Sequence, residues 1–499
     1  MMAAAQAHSW QMSLRELLRG LADGEVPDIR VAGLADDSRD VRAGSLFMAA
    51  AGLQRHGLEF AAAALAAGAA AVVYEPGDAR FMPPQGAIAV PSLGRRRGLI
   101  ASRFFGHPSR ALRVCGVTGT NGKTTTVHLV SRASRLVNLH CGHMGTLGFG
   151  LVEPLTPSPL TTPDVLTVHK RLAWLQAQGA QRVAMEVSSH ALDQGRVDAV
   201  MFDTAVFTNL SRDHLDYHAD LDAYGRAKQL LFQWSGLRHA VLNVDDAIVA
   251  ATADRLDAGV TLTAVGKSAH RHARANRWIR PLAVHTRHDG IEIELDSSAG
   301  SARLLSPLLG AFNATNLLQA LAVLLEWGVA LEDAVAALGA VASPAGRMET
   351  FCADGAPLMV VDYAHTPDAL ANAVTALRAH CSGKLLCVFG CGGDRDRGKR
   401  ALMAHAASAA DYVIVTDDNP RHEDPERIVA DILSGFGRDV KHEVLRDRRL
   451  AIKAAAQRAG PGDIVLVAGK GHEGYQIVGS SRVTMSDRDL VTTALEQRS

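Results

Sequence analysis

A chain of 499 residues, 47% of them apolar, is long enough for two to four domains with substantial cores. Lysine plus arginine and aspartate plus glutamate each total 52, so the formal charge is zero, which gives no support to a general binder of nucleic acid or anionic membrane. Six cysteines over this length do not make a disulfide framework, and the C-x3-C pair Cys387 and Cys391 has no second Cys/His pair nearby to complete a zinc site.

The first residues, MMAAAQAHSW, lack a basic region followed by a sustained apolar run. The most apolar stretch, Ala61 to Tyr74, is shorter than a membrane span. Free thiols point to a reducing compartment, so a soluble, cytoplasmic protein is expected. A first block, 1–110, reads as a short helix (SLRELLRG), the segment GLADDSRDVRAGSLFMAAAG, and an alanine-rich helix running into a strand (AAVVYEP).

A second block, 111–343, opens with a short apolar strand, Leu112 to Val117, then a glycine-rich turn and a long helical pattern. Strand signals recur at QRVAMEV, DTAVFTNL and HAVLNVDD with helical stretches between them, which predicts a mostly parallel sheet. The stretch IRPLAVHTRHDGIEIELDSSAGSARLLSP alternates and carries a DG turn, the pattern of an antiparallel excursion, before a helix over Asn313 to Trp327. A third block, 344–499, reads as strand, loop, helix three times. Its strands are KLLCVFG, DYVIVTD and DIVLVAG, and its loops are CGGDRDRGK, DNPRHEDP and KGHEGY. Ligands of an open parallel sheet bind beyond the carboxyl ends of its strands, so all three polar loops are expected at one edge.

The segment GVTGTNGKTTT, Gly116 to Thr126, lies between a buried strand and a helix. Closely spaced glycines let backbone N–H groups cradle phosphate oxygens, a lysine can reach the β- and γ-phosphates, and a threonine hydroxyl can reach Mg²⁺. Those roles fall to Gly119, Thr120, Asn121, Gly122, Lys123, Thr124 and Thr125. The match to G-x-x-x-x-G-K-[ST] is imperfect, because Val117 stands where the first glycine belongs. Glu186 ends an apolar strand in AMEVSSH, a position suited to holding Mg²⁺ beside a phosphate loop.

The variant TGTNGKTTT resembles the ATP loop of the Mur ligases and of the related folylpolyglutamate synthetases. The resemblance implies an α/β fold of three domains. A small N-terminal domain would bind UDP, a central P-loop ATPase domain with a mostly parallel sheet would bind ATP, and a C-terminal Rossmann-like domain would read the amino acid. It implies that His214, in NLSRDHLDYH, helps bind a second Mg²⁺. It also implies that Lys228, in AYGRAKQLLF, is carbamylated by CO₂ and becomes a metal ligand. A carbamate is an anion with oxygen donors, and its formation needs a neutral amine, so this lysine should have a lowered pKa.

Asn313 and Asn316, in LLGAFNATNLLQALA, resemble the family's adenine-proximal motif, although an asparagine cap on a helix has the same look. Arg347 (PAGRMET) and Asp362 (VDYAHTPDAL) resemble residues that close onto ATP, and His365 belongs to the same motif. A guanidinium there could stabilise the transferring phosphoryl group. Ser38, in DDSRDVRAGSLF, is similar to the UDP-binding segment, while the same tripeptide is a common turn composition. Thr161, Thr162, Ser188, Gln194 and Arg196 match positions that hold the muramoyl-dipeptide end, and Leu160 departs from a polar position in a relative.

DNPR, Asp418, Asn419, Pro420 and Arg421, marks family members that add meso-2,6-diaminopimelate to UDP-N-acetylmuramoyl-L-alanyl-D-glutamate. Diaminopimelate carries a distal carboxylate that lysine lacks; arginine grips it and repels a bare ammonium. Arg395 offers a second guanidinium, Glu473 can pair with the ammonium, and Gly469 allows close backbone approach. The resemblance thus implies an ATP-dependent amide-forming ligase of peptidoglycan precursor synthesis, acting as a monomer with ATP, Mg²⁺ and a carbamate on Lys228. A lysine-adding or folylpolyglutamate-type ligase, or an ATP-dependent conformational switch, are the other readings. Radiolabelled diaminopimelate and acceptor dependence separate them.

Overall fold

The computed structural model describes residues 10–498 apart from 53–54, 78–79 and 214–216. The chain divides into two compact units. The first comprises Met1–Lys123, Asn138–Leu242 and Asp246–Leu262; the second comprises Thr124–Val137, Asn243–Asp245 and Thr263–Ser499.

The first unit starts with a two-stranded pair, β1 (Met12–Ser13) and β2 (Arg30–Val31). The helix expected over SLRELLRG keeps only Leu14–Leu17, and the chain turns at Gly20, whose φ is +71°. A parallel four-stranded sheet follows: β3 (Gly33–Ala35), β4 (Ser45–Ala49), β5 (Ala71–Tyr74) and β6 (Ile88–Ala89). Every residue of β4 is buried, because alternate side chains face opposite cores. Leu46 and Met48 pack with the helix Leu93–Phe104, and Phe47 and Ala49 with the helix Ala61–Ala66. The first of these cores also takes in Val165, Leu166 and Ala173 of the helix Val165–Ala177.

The remaining strands of this unit are β7 (Arg113–Thr118), β8 (Cys141–Gly145), β9 (Gly148–Gly150), β10 (Arg182–Glu186), β11 (Phe202–Phe207) and β12 (His239–Asn243). Their order is β12-β11-β7-β10-β8-β9, parallel except for β9. The three strand signals of the second block are therefore β10, β11 and β12. The register sets Glu186 beside Val117 and Phe207 beside Thr118, so β10 and β11 end where β7 enters the glycine-rich loop.

In the second unit, β13 (Thr261–Val265) pairs in parallel with β14 (Arg277–Arg287). β14, β15 (Gly290–Ser297) and β16 (Gly300–Ser306) form the antiparallel excursion, turning at Asp289-Gly290 as the sequence predicts. The next sheet contains β17 (Glu349–Phe351), β18 (Leu358–Asp362), β19 (Leu385–Phe389), β20 (Tyr412–Val415), β21 (His442–Val444) and β22 (Ile464–Ala468), in the order β17-β18-β22-β19-β20-β21. Only β17 runs antiparallel to its neighbour, so β18, β19, β20 and β22 all point their carboxyl ends the same way.

Helices cover both faces. Ile464 and Leu466 enter one core and Val465 and Val467 the other, which is why these strands read as unbroken apolar runs. Cys387 and Cys391 belong to the first of those cores, and burial pushes both thiols up to about 12. The third strand–loop–helix repeat differs from expectation. After KGHEGY the chain forms an antiparallel hairpin, β23 (Tyr475–Val478) and β24 (Ser481–Thr484), before the helix Asp487–Glu496.

Candidate active site

The loop after β7 is shaped by its glycines and tied to the end of β11. Gly119 has φ +144°, and a Cβ there would collide with the Thr208 hydroxyl. That hydroxyl donates to the Asn121 carbonyl at 2.6 Å. The Asn209 side chain brackets the same residue, accepting from Asn121 N at 3.0 Å and donating to its carbonyl at 3.0 Å. Lys123 Nζ donates to the Gly119 and Thr120 carbonyls at 2.7 and 2.8 Å. Gly122 has φ +85°, and Thr124 and Thr125 stand in the first turn of the helix Lys123–Leu136. Thr208 and Asn209 escaped the sequence reading; their signal is a polar pair closing an apolar strand in TAVFTNL.

Lys228 reaches this loop from the helix Leu221–Gln229. It is 1% exposed, donates from Nζ to the Gly119 carbonyl at 2.8 Å, and lies 4.3 Å from the Tyr224 ring centroid. Burial first, and then the charge of Lys123, hold its pKa well below the ordinary lysine value, against a pull from Asp213. That favours the neutral amine a carbamate requires. Glu186 is 1% exposed at the end of β10 and accepts from Thr146 N at 2.7 Å and the Thr146 hydroxyl at 3.3 Å. His214 lies outside the described residues. Among the described residues, no group of three His, Cys, Asp or Glu side chains forms a metal cluster.

The residues matched to the dipeptide end form one network. The Thr161 and Thr146 hydroxyls are 3.0 Å apart. The Thr162 hydroxyl donates to the Glu186 carbonyl at 2.9 Å and accepts from Ser188 N at 3.1 Å. Ser188 caps the helix Ser189–Asp193. Gln194 Oε1 takes two N–H groups of Arg196, whose third contact is the Thr162 carbonyl at 3.1 Å. Gln194 and Arg196 line a cleft of about 190 Å³ with Asp36, Arg97, Asp164 and Val165. Ser38 is partly exposed in the short turn Ser38–Asp40, which Asp37 caps, and Leu160 is exposed.

In the second unit, Asn313 begins the helix Asn313–Glu326 but does not cap it. Its Nδ2 donates to the Leu309 carbonyl at 2.7 Å and its Oδ1 accepts from Asn316 Nδ2 at 2.8 Å. The helix-cap reading is thereby corrected: both amides are buried, and Asn313 is tied to Asn316 and to the preceding loop. Asp362, at the carboxyl end of β18, accepts from Met348 N and Ala364 N at 2.7 and 2.8 Å, and burial raises its pKa. The Arg347 guanidinium lies 4.7 Å from the Tyr363 ring centroid, with its Nε buried and without a hydrogen bond. His365 approaches the Tyr363 carbonyl through Nδ1 at 2.8 Å.

The three polar loops meet at the carboxyl edge of this sheet, as expected. Arg421 has φ +52°, rare for a residue with a side chain. The hairpin locks it there: Arg421 N donates to the Ile477 carbonyl at 3.1 Å, and Gly479 N donates to the Arg421 carbonyl at 2.7 Å. Arg421 also donates from its guanidinium to the Gly393 carbonyl at 2.8 Å, and Gly392 borders the side chains of both Arg421 and exposed Arg395.

Asp418, Asn419 and Pro420 are buried. Burial raises the Asp418 carboxyl, with Arg448 and Lys470 pulling it down. Gly469, at φ +116°, leaves room for the Asp418 carboxylate. Glu473 Oε2 accepts from Asn419 Nδ2 at 3.3 Å and pairs with Lys470 Nζ at 3.1 Å. Lys470, passed over in the sequence reading, is a lysine directly after an apolar strand.

Three family models match this chain. Residues 30–94 match a model described as Mur ligase family, catalytic domain; residues 117–324 match the Mur ligase middle domain; residues 346–471 match the Mur ligase, glutamate ligase domain. The chain belongs to the Mur ligase family. A family member from Xanthomonas campestris pv. campestris (strain 8004) is 51% identical over 490 residues, covering 98% of each chain. It is named UDP-N-acetylmuramoyl-L-alanyl-D-glutamate–2,6-diaminopimelate ligase. A ligase of the same name from Pseudomonas aeruginosa is 48% identical over 94% of this chain and 96% of its own. A solved Mur ligase structure titled with that name is 38% identical and superposes with TM-score 0.74 over 98% of this chain and 99% of the other.

Proposed function

We propose that the chain uses ATP to join meso-diaminopimelate to the D-glutamyl carboxylate of UDP-N-acetylmuramoyl-L-alanyl-D-glutamate, in the cytoplasm. This is the activity named for relatives about half identical over nearly the whole length. The γ-phosphoryl passes to the carboxylate, the resulting acyl phosphate is attacked by the diaminopimelate amine, and inorganic phosphate leaves. Activation is needed because a free carboxylate is a poor electrophile.

The chain's own residues divide this work. Backbone amides from Gly119 to Gly122 cradle the phosphates, and Lys123 exchanges its two loop carbonyls for phosphate oxygens. Thr124, Glu186, His214 and carbamylated Lys228 are the residues assigned to Mg²⁺, which supplies neutralisation of phosphate charge. The donor set suits a hard cation, and a carbamate on Lys228 keeps the N–H that bonds Gly119. Asn313 and Asp362 serve the nucleotide, and Arg347 the transferring phosphoryl group. The network from Thr161 to Arg196 takes the dipeptide end, with Ser38 on the uridine side. The division into 1–110, 111–343 and 344–499 belongs to the same proposal.

The amino-acid assignment is carried by one observation: Arg421 is held in left-handed backbone by the β23–β24 hairpin, with its guanidinium at the carboxyl edge of the sheet beside Arg395. The parent should form product with meso-diaminopimelate and not with L-lysine. Removing one partner of a buried charge pair costs about 2–5 kcal/mol, so Arg421→Ala should lower kcat/KM for diaminopimelate by about 100-fold. Equal use of L-lysine by the parent would overturn the substrate assignment.

A further inference from the structure

We infer that Lys470 is a positioning residue for the amino-acid substrate, fixing which atoms Asn419 and Glu473 present to it; this rests on the diaminopimelate site proposed above. Lys470 follows β22 by two residues and has no exposed surface. A buried ammonium is costly unless it is paired and hydrogen-bonded. Lys470 Nζ meets this by donating to Asn419 Oδ1 at 3.2 Å and pairing with Glu473 Oε2 at 3.1 Å, with the Tyr475 ring centroid at 5.7 Å.

Donor logic fixes the rest. Ile477 N also donates to Asn419 Oδ1, at 2.9 Å. Two donors on one atom require that atom to be the oxygen, because an amide nitrogen cannot accept. Asn419 Nδ2 therefore faces Glu473, and its second hydrogen is available to a carboxylate. Both of the contacts to Glu473 fall on Oε2, leaving Oε1 for an ammonium. One cation that touches no substrate thus turns a donor toward an acid and an acceptor toward an amine, the two ends of a zwitterion. Without it, the Asn419 amide can flip and the Glu473 carboxylate loses its tether.

The test measures KM and kcat for all three substrates with Lys470→Met, Glu473→Gln and the double variant. Residues that orient metal ligands from behind cost about 10- to 100-fold when removed, and the same order is expected for a residue that orients substrate-binding side chains. Lys470→Met should raise KM for diaminopimelate at least about tenfold, while KM for ATP and for the nucleotide acceptor stays within about twofold. The double variant should fall well short of the product of the single losses, since Lys470 acts through Glu473. Lys470→Gln, which can still donate to Asn419 Oδ1 without a charge, should lie between parent and Lys470→Met.

An unchanged KM for diaminopimelate in Lys470→Met overturns the inference, and so do multiplying losses or an equal rise in all three KM values. A parent that rejects diaminopimelate fails the underlying reading itself. A parent that uses it beside an indifferent Lys470→Met fails the positioning role alone.

Discussion

Lys228 donates to a carbonyl oxygen rather than to a carboxylate, at 1% exposure and under the field of Lys123. Its folded pKa is depressed below the unfolded value of about 10.4. Between those two values the unfolded chain holds a proton that the folded chain does not. Stability therefore rises with pH across that window, and the cost is fully relieved only above the unfolded pKa. The carbamylation proposed for Lys228 would require this neutral amine, and the general conflict between stability and activity predicts the outcome of removing it. Lys228→Met should abolish ligation yet raise the melting temperature at pH 7.5 by roughly 2 °C, the shift that about 1 kcal/mol produces in a domain of 150–250 residues. The gain should shrink by pH 10. Melting curves of parent and variant at both pH values check this; a variant less stable than the parent at pH 7.5 would mean that the bond to Gly119 outweighs the burial of the amine.

The central parallel strands, such as β11, β19 and β22, were readable because each is buried on two faces and so forms an apolar run, as in KLLCVFG and DIVLVAG. The hairpin of β23 and β24 was not, because β24 is exposed throughout and shows no apolar alternation. A second feature hidden at this level is the ion pair Arg448–Asp487, whose side chains are both fully buried. Arg448 Nε and one terminal nitrogen each donate to Asp487 at 2.7 Å, and the same guanidinium donates to the Ala468 carbonyl at 2.9 Å. It thereby ties the helices Arg448–Arg458 and Asp487–Glu496 to the end of β22, immediately before Gly469 and Lys470. The partners are 39 residues apart, and local periodicity carries no information about such a pairing. Asp487→Ala leaves a buried guanidinium uncompensated and should cost about 3–5 kcal/mol in urea unfolding, whereas the apolar pair Arg448→Met with Asp487→Leu should cost far less. Similar losses in the two variants would sink this account.

Across the whole molecule, the motifs that announce themselves are those in which residue type and spacing carry the chemistry. The glycines and lysine of GTNGK could be read directly, and the DNPR tetrapeptide through the resemblance to the family. Their supports, Asn209 and Lys470, could not, because each acts through a neighbour that only the sheet order brings close. Acid stability is a property of the same kind, and two buried histidines, His169 in the first unit and His128 in the second, bear on it. His169 donates from Nε2 to the Asp198 carbonyl at 2.9 Å while its Nδ1 is buried without a partner. His128 approaches the Ala342 carbonyl at 3.1 Å. Burial pushes both down to about 4. The unfolded chain protonates each near pH 6.5, so stability is lost as pH falls from there toward 4, by roughly 3 kcal/mol per histidine over the full window. Asp37 and Glu423, both lowered to about 2 by their arginine hydrogen bonds, keep their full stabilisation down to about pH 4.5 and lose it only below that. Asp36, Asp198, Asp362 and Asp418 are raised by burial and act in the opposite sense, binding protons sooner when folded. The discriminating quantity is therefore the difference between parent and His169→Gln, not the slope of the parent alone. Urea midpoints between pH 7 and 4.5 should fall less steeply in His169→Gln, and parallel curves would show that this imidazole takes up its proton without cost.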